Sequence, residues 1–343
     1  MIRSILKKSC GNQRREVLAC PKLERLFLSL LLVVLHITGC NQSNLVSTPT
    51  PASGIAQTSP QTPKLKVVTT FLPMYWFTKA VTGDLAQVEI LVPPGSEIHD
   101  YQTTPNDVQA IAQADVLVKN GLGLEEFLES TVKNAQNPKL KQIEASKGIQ
   151  SLQEISPVVK PVQTKGENHD RDRKKGNPHV WLDPVLAIKQ VENIRDGLIA
   201  VDPENKDVYQ VNAAAYINQL QALDREFQQR LKLFGNQCTF ITFHDAFPYL
   251  AKRYQLKQVA VVEIPEDQLS PEDIQKTIAT VKKYNVKALF GESGTDNKLL
   301  SSLSQDLNLT LRNLDSLEGG DKDPQYYITG MKSNLQGIEA ACR

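Results

Sequence analysis

The sequence predicts an α/β protein of two lobes, each with a mostly parallel sheet flanked by helices, joined by one long bridging helix. Short apolar strand patterns alternate with helical patterns through residues 64–343. Such alternation is typical of parallel sheets covered by helices. A single unbroken helical pattern, residues 204–233, divides this region. It would span roughly 40 Å at 1.5 Å per residue, which is long enough to bridge two lobes.

The first lobe is predicted over residues 64–203. Pro73 ends its first strand, and Thr104-Pro105 is typical of a helix start, because threonine caps the helix and proline suits its first turn. The predicted strands are residues 65–71, 88–92 and 115–118, and the predicted helices are residues 74–81, 124–132 and one that starts at Thr104.

The bridging helix carries apolar residues at spacings of three and four, namely Leu220, Leu223, Phe227 and Leu231. This period predicts one buried helix face. The second lobe then repeats the alternation over residues 234–343. Its predicted strands are residues 238–242, 258–262, 288–290 and 310–314, and its predicted helices are residues 246–253, 270–284, 298–307 and 326–342.

The first 63 residues predict export and tethering. A basic leader precedes an apolar run at residues 26–35, which is too short for a stable membrane span but suits a signal-peptide core. Ile37-Thr38-Gly39-Cys40 then matches the bacterial lipobox, so residues 1–39 are a predicted lipoprotein signal peptide and Cys40 a predicted lipidation site. The alternative is an ordinary signal peptide with a chance cysteine. Residues 40–63 are rich in Ser, Thr, Pro and Gln and predict a disordered tether.

Cysteine usage fits a protein outside the cytoplasm, and the net charge gives no sign of a nucleic-acid partner. The formal net charge is +1 and there is no basic stripe, so we expect no nucleic-acid partner. After the leader and Cys40, only Cys238 and Cys342 remain. In an oxidising compartment they can form one disulfide or stay as two thiols, and the sequence gives no distance to decide between these.

Three of the chain's five histidines predict a metal site. His99, His179 and His244 each lie at or near the end of a predicted strand or in the loop that follows, and Asp315 ends another strand. Ligands of open α/β sheets bind outside the carboxyl ends of the strands. Two facing lobes would bring these residues into one cleft. Three imidazoles and one carboxylate make a four-coordinate zinc site.

Each of these residues has a simpler interpretation. A histidine at a strand end is commonly just a satisfied polar residue. Asp315 could cap a turn instead of binding metal, and water could then complete the shell. Glu263 and Glu292, both just after strands, could approach the cleft. His169 lies among mixed charges in a loop, so we expect it to take no part.

At four motifs the chain resembles the metal-binding lipoproteins of bacterial zinc and manganese ABC importers, the ZnuA/TroA-like or cluster 9 family. The resemblance covers essentially residues 64–343. The motifs are Pro93-Pro94-Gly95 through His99-Asp100-Tyr101, Asn120-Gly121-Leu122-Gly123-Leu124-Glu125, Pro178-His179-Val180-Trp181-Leu182-Asp183-Pro184, and Phe243-His244-Asp245-Ala246-Phe247.

The resemblance implies two lobes joined by a rigid helix, with metal between them held at His99, His179, His244 and Asp315. Manganese-binding relatives typically have Glu at the third position, whereas imidazole at His244 favours zinc. Zinc-type relatives often carry a disulfide where Cys238 and Cys342 lie, which favours a bridge here. They also often have a long His-rich loop, whereas this loop is short and holds only His169, so it is not expected to collect zinc.

These inferences predict a non-enzymatic zinc receptor that delivers Zn²⁺ to an ABC permease. We expect an extracytoplasmic monomer anchored to the lipid bilayer through Cys40. A manganese or iron receptor of the same family is the nearest alternative. A secreted zinc hydrolase is another, because three histidines plus water also describe a catalytic site. The sequence has no His-Glu-x-x-His motif to support it.

Overall fold

The computed structural model describes residues 64–153, 176–261, 271–286, 288–292 and 298–343, and all of them fall within one structural unit. Two four-stranded parallel sheets dominate it, each flanked by helices. The predicted fold class is therefore confirmed. Within the described residues, no helix combines the length and the apolar character needed to cross a bilayer.

The first sheet has the strand order β2-β1-β3-β4. Val67 of β1 pairs with Val88 on one side and Val116 on the other, so the apolar centre of the sheet is in register. The strands are β1 (Leu65–Thr69), β2 (Ala86–Ile90), β3 (Val116–Lys119) and β4 (Lys141–Glu144), and the helices are α1 (Leu72–Thr82), α2 (Pro105–Gln113), α3 (Leu128–Ala135) and α4 (Pro184–Val201).

Local capping explains where two of these helices begin. At α2 the Thr104 backbone N–H and hydroxyl both donate to Asp107 Oδ2, at 2.7 and 2.9 Å. At α4 the Asp183 carboxylate accepts from the Val185 backbone N–H at 2.8 Å, and Pro184 fills the first helical position. Both arrangements satisfy N–H groups that the helix itself leaves unpaired.

The long helix α5 (Lys206–Leu231) contacts α1 and α4 of the first lobe. It also contacts α9 (Gln325–Cys342) of the second. Leu220, Leu223 and Phe227 are buried, as their spacing predicts. Burying this stripe on both sides fixes one lobe against the other through a common core.

The second sheet has the strand order β6-β5-β7-β8, again all parallel. Its strands are β5 (Thr239–Thr242), β6 (Lys257–Ala260), β7 (Ala288–Gly291) and β8 (Thr310–Asn313). Its helices, besides α9, are α6 (Pro248–Arg253), α7 (Pro271–Tyr284) and α8 (Lys298–Asp306).

The structure departs from the sequence prediction at three elements. It adds β4, a short and mostly exposed edge strand, and α4. The helix predicted at residues 124–132 begins only at Leu128. Leu122 and Gly123 have φ angles of 57° and 91°, so the chain turns after β3 before a helix can start.

Candidate metal centre

Four side chains from separate parts of the chain converge in one cluster: His99, His179, His244 and Glu318. His99 lies in the loop between β2 and α2, and His179 immediately precedes a short 3₁₀ turn, Val180–Leu182. His244 follows β5, and Glu318 lies in the loop between β8 and α9. One ligand atom from each residue lies within 4.8 Å of the others.

The distances within the cluster suit a tetrahedral ion. His179 Nε2 is 3.1 Å from His99 Nε2 and 2.9 Å from His244 Nε2. Glu318 Oε1 is 3.4 Å from His179 Nε2 and 3.8 Å from His99 Nε2. Tetrahedral ligands bound at 2.0–2.1 Å lie about 3.3 Å apart. The four side chains can therefore hold one small divalent cation.

Two neighbouring groups orient the buried histidines. His179 Nδ1 is 3.0 Å from Asn177 Oδ1, and His244 Nδ1 is 2.8 Å from Glu292 Oε1. If each Nδ1–H donates to its oxygen, both Nε2 lone pairs face the centre of the cluster. Carboxylate or carbonyl partners on the outer nitrogen are a common support for metal-binding histidines.

Burial and charge give the two buried histidines opposite pKa shifts. Burial lowers the pKa of His179 to about 3, so its imidazole is neutral. Burial also disfavours the charged form of His244, but the Glu292 carboxylate, with Glu318 and Glu97, outweighs it and raises the pKa of His244 to about 9. Burial opposes ionisation of Glu318 too, yet the neighbouring imidazoles of His179, His99 and His244 hold the pKa of its carboxyl well below the usual range.

We expect metal binding at pH 7 to release about one proton per ion. His244 is protonated below its pKa of about 9 in the metal-free protein, and a metal on Nε2 must displace that proton, whereas His179 has none to lose. Apparent affinity should therefore rise by up to about tenfold per pH unit between pH 7 and 9. Calorimetry in buffers of different ionisation enthalpy measures the released proton.

The control for that experiment is Glu292→Gln. The amide keeps an acceptor for His244 Nδ1–H but removes the charge that raises the pKa of His244. Proton release should then fall toward zero. A wild-type affinity that is flat from pH 7 to 9 would contradict the proposed protonation of His244.

Asp315, expected as the fourth ligand, lies outside this cluster of four side chains, in which Glu318 supplies the carboxylate. Its Oδ1 accepts from the Leu317 backbone N–H at 2.8 Å, so the carboxylate closes a turn. Burial raises the pKa of Asp315 to about 6. The turn directs Glu318, three residues later, into the cluster. No periodic or strand-end signal in the sequence distinguishes Glu318. The geometry of Asp315 is that of a residue that caps a turn, the alternative that its sequence position allowed.

The other expectations about site residues have separate outcomes. Of the two glutamates that could approach the cleft, Glu292 lies beside the cluster, with its Oε1 2.8 Å from His244 Nδ1. Glu263, His169, Cys40, the predicted signal peptide and the predicted tether lie outside the described residues. In the structure, a disulfide joins Cys238, just before β5, to Cys342 at the end of α9.

Comparison with known proteins identifies clear relatives. The family model for ZnuA, the periplasmic zinc-uptake complex component A, matches residues 67–341. The high-affinity zinc uptake system protein ZnuA of Bacillus subtilis (strain 168) is 36% identical over 283 residues, covering 80% of this chain and 87% of that protein. The zinc-binding lipoprotein AdcA of Streptococcus pneumoniae serotype 4 is also 36% identical over 283 residues, but the match spans only 55% of AdcA.

Structural comparison gives the same group of proteins. The crystal structure of the Zn(II)-bound ZnuA-like domain of Streptococcus pneumoniae AdcA superposes with a TM-score of 0.68 and 34% sequence identity. The superposition covers 81% of this chain and 99% of that domain. At this coverage the likeness includes both lobes and the long helix.

Proposed function

This chain belongs to the ZnuA family, and on that premise we propose that it is the extracytoplasmic receptor that captures Zn²⁺ for an ABC-type import permease. The proposed ligands are His99, His179, His244 and Glu318. The observation that carries the proposal is the convergence of these four side chains within 4.8 Å, on loops from both lobes.

The donor set favours zinc over manganese. Three imidazole nitrogens and one carboxylate are a typical zinc shell, whereas manganese prefers oxygen ligands in an octahedral arrangement. His244 is the residue that matters most here, because it brings nitrogen rather than oxygen from the second lobe. A manganese or iron receptor of the same family remains the alternative that metal competition tests.

A binding role suits the site better than a catalytic one. A catalytic zinc site keeps one position open for water or substrate. Here Glu318 is close enough to fill the fourth position, at 3.4 Å from His179 Nε2. His179, His244 and Glu318 are all buried, so little room is left for a substrate beside the ion. We therefore propose a non-enzymatic receptor rather than a secreted zinc hydrolase.

Export, anchoring and the limits of the lobes complete the proposal. Lipidation at Cys40 would hold the protein at the membrane surface, the tether would give it reach, and the receptor would act as a monomer. We divide the folded part into residues 64–203, a bridging helix at residues 204–233, and residues 234–343. The continuous contacts of α5 with α1, α4 and α9 support a small closure movement rather than a wide hinge.

Glu318→Gln tests the fourth ligand. The amide keeps the size of the side chain but is a much weaker zinc donor, so we expect zinc affinity to fall by about 10–100-fold. The matched control is Asp321→Asn in the same loop, which changes an exposed carboxylate to an amide and should leave affinity within about twofold. Competition with a chromophoric zinc chelator measures both. Equal effects of the two variants would reject Glu318 as a ligand.

A further inference from the structure

Both tryptophans of the chain donate hydrogen bonds to one loop, the Glu318 loop (residues 314–324) between β8 and α9. The Trp181 indole N–H donates to the Ser316 carbonyl at 2.8 Å, and the Trp76 indole N–H donates to the Asp321 carbonyl at 2.7 Å. The two acceptors flank Glu318. Trp76 lies in α1 and Trp181 in the 3₁₀ turn after His179, so both donors belong to the first lobe.

One residue of the Glu318 loop has a backbone conformation that its side chain disfavours. Leu317, next to Glu318, has a φ angle of 62°, in the left-handed region that a bulky side chain rarely adopts. Gly320 has a φ angle of 134°, and a Cβ there would lie 2.4 Å from Tyr326 Cε1. The backbone angle of Leu317 persists only where surrounding contacts hold the loop in place.

The contacts that hold the loop come from both lobes. Within the second lobe, Asp315 Oδ1 accepts from Leu317 N–H, and Asn334 of α9 exchanges hydrogen bonds of 2.8 and 2.7 Å with the Asp315 backbone. These contacts fix the start of the loop. Across the cleft, the two indoles fix the backbone on either side of Glu318. Both indole rings are fully buried, so water does not compete for their N–H groups.

We propose that Trp76 and Trp181 are positioning residues for metal retention: their indole N–H groups hold the Glu318 loop against the first lobe and so keep the Glu318 carboxylate on the ion. The inference rests on the proposed function, because it requires that the cluster bind a metal. On this proposal, both indole hydrogen bonds must break when the lobes separate and the ion leaves.

Trp→Phe variants test the proposal, since phenylalanine keeps an aromatic ring and removes the donor. Zinc dissociation is followed by stopped flow after mixing the zinc-loaded protein with excess chelator. We expect Trp76→Phe and Trp181→Phe each to speed dissociation about tenfold, the scale of losing a group that supports a metal ligand. Trp76→Phe is the cleaner variant, because the Trp181 ring also packs against His179, with centroids 5.0 Å apart.

The Glu318→Gln background distinguishes positioning from general loosening. If Trp76 acts through Glu318, its effect should largely disappear once Glu318 is Gln, because two residues that act through one group do not have additive effects. In that background we expect Trp76→Phe to change the zinc dissociation rate by less than about twofold. Arg253→Lys is the matched control: it keeps the positive charge beside the buried Asp183 but removes another hydrogen bond between the lobes, Arg253 Nε to Asp183 Oδ2 at 2.8 Å, away from the loop. Its effect should be small and equal in both backgrounds.

Single-tryptophan fluorescence gives a second measurement. Trp181→Phe leaves Trp76 as the sole indole, and its emission should change when zinc binds but not in the Trp181→Phe, Glu318→Gln double variant. An equal change in dissociation in both backgrounds, or no change in the presence of Glu318, would overturn the positioning role. Absence of zinc binding by the wild type would instead reject the proposed function. Thermal melts of each metal-free variant identify any that fail to fold.

Discussion

Replacing His179 by alanine is expected to lower zinc affinity by about 10³-fold or more, since it removes a direct ligand rather than a supporting group. His179 is the centre of the cluster: its Nε2 is the atom that lies near His99, His244 and Glu318. Its imidazole is neutral and its Nδ1 is matched to Asn177, so it is ready to bind without losing a proton. Chelator competition at pH 7.5 measures the change.

His169→Ala is the matched control, because the sequence gives His169 no partner histidine. We expect it to leave zinc affinity unchanged within about twofold. Retention of wild-type affinity by His179→Ala would show that the ion binds elsewhere, and the proposed ligand set would be wrong.

Replacing both Cys238 and Cys342 by serine is expected to lower the free energy of unfolding by about 2–5 kcal/mol. The disulfide closes a loop with a sequence separation of 104 residues, and long closed loops restrict the unfolded chain most. It joins the residue before β5 to the end of α9, so its loss frees the last helix to fray. Urea unfolding, with and without reducing agent on the wild type, measures the loss.

Zinc affinity separates this structural role from a role in binding. Neither cysteine belongs to the metal cluster, so the serine variant should keep wild-type zinc affinity under conditions where it is folded. Reduced wild-type protein should match the serine variant in stability. A loss below about 1 kcal/mol in both cases would contradict the stabilising role of the disulfide.

Most of the fold could be predicted from local patterns. The buried residues of α5 recur at helical spacing, and Thr104 and Pro271 mark helix starts that the structure contains. The missed strand β4 is short and mostly exposed, so it lacks the apolar run that identifies a buried strand. The late start of α3 depends on the positive φ angles at Leu122 and Gly123, a backbone property that residue pattern alone does not determine.

The three histidines of the candidate site could be predicted from residue type and position. Histidine is rare in this chain, and His99, His179 and His244 lie in the loops where parallel sheets place their ligands. The carboxylate was not predictable in the same way. The Glu318 loop contains several acids, and the turn at Leu317 decides which of them faces the three histidines. The loop exchanges hydrogen bonds with Asn334, Trp76 and Trp181, which are distant in sequence.

The most direct test of the account is a competitive titration of the metal-stripped protein with Zn²⁺ and Mn²⁺. We predict one tightly bound zinc per chain that about a 100-fold excess of manganese does not displace, because three imidazoles and one carboxylate suit zinc. Preferential binding of manganese would contradict the account. In that case His244 could not be a ligand, and the site would have to be rebuilt around carboxylates.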